Sequence, residues 1–305
     1  MSRVPVIEVE NLHKSYRDHV AVEDVSFSVE EGEIFGIVGP NGAGKTTTVE
    51  CIESLRKPDG GSVRVLGLDP TRARAELRQR VGAQLQKSEL PENLKVAEAL
   101  KLYASFYRKP ANSGRLIEDL GLSEKRNTPF GKLSGGQKQR LSIALALVGS
   151  PEVAVLDELT TGLDPHARRE TWELIENVRS SGVTVLLVTH FMDEAERLCD
   201  RVAVIDAGKV VATGTPASLI ARTNAGQRIR FRPSAPLNEE LLTDLPEVSG
   251  VSHHRDEVLV AGAGDLLGAV TSVLNRHAIA AHDLGVERPT LDDAFLALTG
   301  RKLDD

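Results

Sequence analysis

The chain has 305 residues, 41% of them apolar and 27% charged, which excludes a disordered or fibrous protein and leaves room for two domains. A formal net charge of −7 argues against a nucleic-acid backbone as the main partner, so no nucleic acid is expected. Two distant cysteines, Cys51 and Cys199, form no CxxC or Cys/His cluster and fit a reducing compartment.

From the N-terminus, Met1–Pro5 lacks an apolar h-region, so no secretion signal is expected. Val6–Val9 and Ala21–Val29 alternate as half-buried strands do, and Glu33–Val38 is an apolar run suited to a buried strand. A helix should start at the end of the Gly39–Lys45 loop and run to about Leu55, before the stop and turn at Lys57-Pro58-Asp59-Gly60-Gly61. The basic cluster Arg72–Arg80 reads as a solvated helix face. From Lys87 to Val148 the pattern is helical, over Val96–Tyr107, Gly114–Leu120 and Gly135–Val148. Short apolar runs at Val153–Leu156, Val183–Val188 and Arg201–Ile205 then alternate with helical or turn segments. This order predicts an α/β domain over 1–222, with a mainly parallel sheet and an inserted helical subdomain at about 87–150. The longest apolar stretches, Leu141–Val148 and Val183–Val188, fall far short of the about 20 residues that span a bilayer.

Past the linker-like Thr223-Asn224-Ala225-Gly226 the character changes, and a second α+β domain is expected over 223–305. A strand (Gln227–Arg232), a helix (Asn238–Asp244), a hairpin (Val248–His254 with Val258–Ala261), a helix (Gly264–Arg276), a strand near Ala280–Val286 and a last helix (Thr290–Leu298) follow. That βαββαβ order suggests a ferredoxin-like module with one added helix.

Three segments carry chemistry. Gly39-Pro40-Asn41-Gly42-Ala43-Gly44-Lys45-Thr46 fits the phosphate-binding pattern G-x-x-x-x-G-K-[ST] between an apolar strand and a helix. Its glycines let backbone N–H groups close on phosphate at a helix N-terminus, Lys45 faces the β- and γ-phosphates, and the Thr46 hydroxyl suits Mg²⁺. Val153-Ala154-Val155-Leu156-Asp157-Glu158 is an apolar strand ending in two acids, with Asp157 suited to the Mg²⁺ shell and Glu158 to the attacking water. Leu133-Ser134-Gly135-Gly136-Gln137 opens a long apolar helix; Ser134 is a good N-cap, and the paired glycines leave the helix end open to an anion.

Together with Gly162-Leu163-Asp164-Pro165 and His190, these segments resemble an ATP-binding-cassette ATPase from about Val6 to Leu219. The resemblance implies a P-loop NTPase cassette with an N-terminal antiparallel β part, and ATP and Mg²⁺ as cofactors. It implies that Tyr16 stacks on adenine, that nucleotide contacts extend to Thr47, and that Gln86 (with Gln84 as a neighbouring alternative) links Mg²⁺ and water to the helical subdomain. His190 would contact the γ-phosphate. Ser134, Gly135, Gly136, Gln137 and Asp164 would act across a dimer, on ATP held by a second ATPase subunit of the same sequence. Leu159 departs from the proline common after the catalytic glutamate. The tail Arg288-Pro289-Thr290-Leu291-Asp292-Asp293-Ala294-Phe295 and Phe191–Glu196 resemble the daunorubicin-resistance type of export ATPase. This narrows the expectation to an exporter subunit on the cytoplasmic face of the membrane, driving a separate polytopic permease that exports a drug-like, antibiotic or lipid cargo.

A cassette-type switch acting on other protein or nucleic-acid machinery is the competing reading. A single cassette, no coiled-coil heptads and a net acidic charge weigh against it. A non-hydrolysing regulator is disfavoured by the presence of both Glu158 and His190. His253-His254 reads as exposed hairpin surface, and Trp172 as a packing residue.

Overall fold

The structure is a computed structural model and describes residues 5–84, 90–222 and 226–301. Two units divide between Pro216 and Ala217. The first begins with β1 (Pro5–Tyr16), β2 (His19–Glu30), β3 (Ile34–Val38), α1 (Lys45–Ile52), β4 (Gly60–Val65), α2 (Arg74–Leu77) and β5 (Val81–Gln84). Helices α3 (Val96–Ala104), α4 (Ser113–Asp119) and α5 (Gly135–Leu147) follow. The remainder runs β6 (Val153–Asp157), α6 (Pro165–Ser180), β7 (Thr184–Thr189), α7 (Met192–Leu198), β8 (Arg201–Asp206) and β9 (Lys209–Gly214).

Among the described residues, nine strands form one sheet in the order β4-β1-β2-β9-β8-β3-β7-β6-β5. β1 pairs antiparallel with β2 and β4, whereas β3, β5, β6, β7 and β8 pair in parallel. The sequence explains the split. β1 and β2 alternate and bury one face through Ile7, Val9, Val25, Phe27 and Val29. Every residue of β3, β6 and β7 is buried, which is why those strands read as unbroken apolar runs. The α/β cassette expected from the sequence is therefore the fold observed, with helices α3 to α5 inserted between β5 and β6.

Three further strands, β4, β5 and β9, lie outside the runs expected from the sequence. β4 opens on Gly60-Gly61 and ends the sheet, so it lacks a second apolar face. β5 is four residues of mostly small side chains, and a Cβ on Gly82 would lie 2.0 Å from the Ala146 carbonyl of α5. β9 is short and mostly half-buried or exposed. The basic Arg72–Arg80 stretch holds a helix of only four residues, α2.

Helix α8 (Pro216–Ala221) lies at the division between the units. The second unit continues with β10 (Gln227–Pro233), α9 (Glu240–Thr243), β11 (Val248–His254), β12 (Glu257–Gly262), α10 (Leu266–Arg276), β13 (Ala281–Glu287) and α11 (Leu291–Thr299). Its sheet order is β11-β12-β10-β13 with antiparallel neighbours, the arrangement of a split β-α-β module. Ile229, Phe231, Val258 and Val260 pack with Leu266, Val270, Val273 and Leu274 in a core of its own. Alternate positions on β10, Arg228, Arg230 and Arg232, are exposed and pair with Asp293, Glu287 and Glu257. His253 Nε2 lies 3.0 Å from Glu239 Oε1.

Candidate active site

β3, β7 and β6 are neighbours in the sheet and run in parallel, so their C-terminal ends share one edge. The register aligns Val38 with Thr189 and Asp157 with Val188. That alignment gathers the loop after β3, the acids ending β6 and His190 after β7. Ligands of open parallel sheets bind at this edge.

The loop after β3 is shaped by close backbone approach. A Cβ on Gly39 would lie 2.0 Å from the Ile205 carbonyl, and one on Gly44 would lie 2.4 Å from the Ala21 carbonyl. Gly44 caps α1 with a left-handed backbone and no side-chain cap, so the first N–H groups of α1 are left for an anion. The turn between β8 and β9 braces the loop, with the Gly208 N–H donating to the Ala43 carbonyl at 3.0 Å. Pro40, Asn41, Gly42, Thr46 and Thr47 lie exposed or half-buried along the loop and the first turn. Lys45 is 5% exposed, and its Nζ donates to the Gly39 and Pro40 carbonyls at 2.7 and 2.9 Å. Burial lowers the Lys45 pKa, while the nearby Glu158 and Asp157 carboxylates push it back up.

Asp157 is buried, and burial first and the Glu158 charge second raise its pKa to about 6, against the lowering effect of Lys45. Its backbone N–H donates to the Gln84 side chain at 3.2 Å. Gln84 therefore ties β5 to the acid strand from within the core. Gln86 lies outside the described residues. Glu158 occupies the left-handed region at φ 49, which is uncommon for a residue with a Cβ. Its N–H donates to the Val188 carbonyl at 2.9 Å, and the buried Leu159 anchors the turn from the core side. Such strain points to a functional position. Glu158 Oε1 lies 3.3 Å from His190 Nδ1, which joins an acid and an imidazole from adjacent strands.

The Ser134 segment lies elsewhere. Ser134 caps α5 in a reciprocal box, accepting from the Gln137 N–H at 3.3 Å while its own N–H donates to Gln137 Oε1 at 3.1 Å. One cleft is lined by Ser134, Gly135, Gly136, Gln137, Leu163 and Asp164, and no residue of the 39–47 loop lines it. Asp164 caps α6 by accepting from the His166 and Ala167 N–H groups, which hold its pKa down. A Cβ on Gly136 would lie 3.3 Å from Ala167 Cβ, so the paired glycines also let α5 and α6 approach. Sequence reading missed Arg140, whose guanidinium donates to Glu170 at 2.6 Å and ties the same two helices. Tyr16 ends β1 and is 36% exposed, with Lys14 Nζ and Arg56 Cζ at 5.6 and 5.8 Å from its ring centroid. Among the described residues, no helix is long and apolar enough to cross a membrane, and no cluster of three His, Cys, Asp or Glu residues could hold a metal.

The family profile described as ABC transporter matches residues 22–161. The chain is 37% identical to a Nod factor export ATP-binding protein I of Ralstonia nicotianae over 99% of this chain and 96% of that protein. It is 37% identical to a daunorubicin resistance ATP-binding protein of Streptomyces coeruleorubidus over 96% of each. Among solved structures, the ATP-binding subunit of an ABC transporter superposes with a TM-score of 0.64 at 29% identity, over 71% of this chain and 92% of that one. A cbiO1 structure from Clostridium perfringens gives 0.65 at 27% identity, over 71% and 91%. The chain belongs to the ATP-binding-cassette transporter family, as an ATP-hydrolysing subunit of the exporter type.

Proposed function

We propose that two copies of this chain close around two MgATP and that closure followed by hydrolysis drives a separate membrane permease. The observation that carries this reading is the separation within one chain. The phosphate loop, Asp157, Glu158 and His190 gather at one sheet edge, while Ser134–Gln137 and Asp164 line a different cleft. A second chain can bring that cleft over the first chain's nucleotide.

In this reading Gly39–Thr47 bind the phosphates, Tyr16 stacks on adenine, and Lys45 leaves the loop carbonyls for the β- and γ-phosphates. The exposed Thr46 hydroxyl and the buried Asp157 carboxylate are hard oxygen donors of the kind Mg²⁺ takes, and Gln86 adds a third. Magnesium, when bound, neutralises charge on the phosphate oxygens. Glu158 takes the proton of the attacking water, and His190 steadies Glu158 and contacts the γ-phosphate. The work is done on a permease at the cytoplasmic face. The relatives' names, Nod factor export and daunorubicin resistance, favour a drug-like, antibiotic or lipid cargo.

Two experiments bear on this reading. Lys45→Ala removes the cation facing the phosphates and is expected to abolish productive MgATP binding, measured by equilibrium titration with a fluorescent ATP analogue. Near-normal affinity and turnover in that variant would reject the phosphate-loop assignment. The second unit has a core separate from that of the first, and every proposed catalytic residue precedes it. Truncation after Arg222 is therefore expected to keep ATP binding and to lose transport in vesicles containing the permease. A folded truncated chain that no longer binds ATP would refute this division of labour.

A further inference from the structure

Glu194 on α7 is fully buried and has no part in the site described so far. A carboxyl in such a place is costly unless polar partners surround it. Trp172 of α6 donates its indole Nε1–H to Glu194 Oε1 at 3.1 Å. Burial raises the Glu194 pKa, and the neighbouring Thr189 and Thr160 hydroxyls and the Trp172 indole lower it; neither Glu194 Oε2 nor the Thr160 hydroxyl completes an aligned hydrogen bond. Both threonines are themselves fully buried.

The positions of these partners give the cluster its meaning. Thr189 immediately precedes His190, and its oxygen accepts from the Phe191 N–H at 3.0 Å, which fixes the turn carrying the imidazole. Thr160 lies two residues after Glu158, and its carbonyl accepts from the Leu163 N–H at 3.2 Å, inside the loop that leads to Asp164. Trp172 belongs to the helix that Asp164 caps. Beside it, Arg168 ion-pairs with Asp193 at 3.4 Å and stacks on Phe191 at 4.5 Å, so α6 and α7 meet along a continuous seam.

We propose that Glu194 is a positioning residue for ATP turnover, holding the Glu158 turn and the His190 turn in register through Thr160, Thr189 and Trp172. The proposal rests on the assignment of Glu158 and His190 as the groups acting at the γ-phosphate. Removing the carboxyl leaves the Trp172 indole N–H buried without its acceptor and opens space beside the Thr160 and Thr189 hydroxyls, so the 3.3 Å contact between Glu158 and His190 loses its brace. Small displacements of this kind reduce turnover far more than binding.

The experiment is steady-state ATP hydrolysis by the full chain, comparing wild type, Glu194→Ala, Glu194→Gln, Thr160→Val and Glu158→Gln. Glu194→Ala is expected to lower kcat about 10- to 100-fold, with KM for MgATP within about three-fold of wild type. Glu194→Gln keeps the shape and an oxygen for Trp172, so it should recover most of kcat. Thr160→Val puts a methyl group in place of the hydroxyl beside the buried carboxyl and should lower kcat by about three- to ten-fold. Trp172 is the only tryptophan in the chain, so its emission should shift in Glu194→Ala and return in Glu194→Gln. A folded Glu194→Ala that turns over at the wild-type rate would overturn the proposal, as would Thr160→Val at the wild-type rate should Glu194→Ala fail to fold. Retained turnover in Glu158→Gln would instead reject the underlying assignment of the base.

Discussion

Glu158→Gln is expected to lower ATP turnover about 10²- to 10⁴-fold, the usual loss on removing a general base, while ATP affinity stays close to wild type. The glutamine keeps the side-chain shape, so the left-handed turn at Glu158 and its bond to Val188 should survive. The proposed phosphate contacts come from Gly39–Thr47, in the loop and helix that follow another strand, and are not touched. His190, 3.3 Å away, loses a carboxylate partner but keeps a hydrogen-bonding one. The check is kcat by phosphate release beside an ATP titration on the same protein. Near wild-type turnover would move the base elsewhere; lost binding would mean that Glu158 shapes the nucleotide site itself.

Ser134→Arg is expected to abolish hydrolysis and leave ATP binding by the single chain intact. Ser134 is exposed at the start of α5, so an arginine there is accommodated in one chain and obstructs only what docks on it. Losing the cap itself weakens the helix by about 1 kcal/mol; Ser134→Ala carries that loss without the bulk and serves as the control. Mixed with Lys45→Ala, the arginine variant should restore at most one of two composite sites. If Ser134→Arg loses ATP binding as a monomer, the segment belongs to its own chain's nucleotide site and the two-chain arrangement fails.

The sequence was most legible where physics leaves little choice. Ile34–Val38 and Val153–Leu156 are apolar because both faces of a central parallel strand are covered, and the residues ending such strands stand at the ligand edge. The phosphate loop could be read because the close approach at Gly39 and Gly44 admits no Cβ. Legibility failed where partners are distant in sequence. Nothing local marks Gln84 as the acceptor for the Asp157 N–H, Arg140 as the partner of Glu170, or Glu194 as the receiver of the Trp172 indole. β4, β5 and β9 escaped because each is short: β4 alternates only over Ser62–Val65 after two glycines, β5 has four residues, and β9 buries only Ala212. Ser134 declared itself as a cap, but the reason for Gly136 became visible only with Ala167 of α6 beside it.

The central claim is that MgATP joins two chains and that hydrolysis releases them. The most direct test is the molar mass of Glu158→Gln by size-exclusion chromatography with light scattering, in MgATP and in MgADP. A dimer in MgATP and a monomer in MgADP, with wild type dimeric only transiently, is the predicted result. A variant that remains monomeric with saturating ATP bound would contradict it.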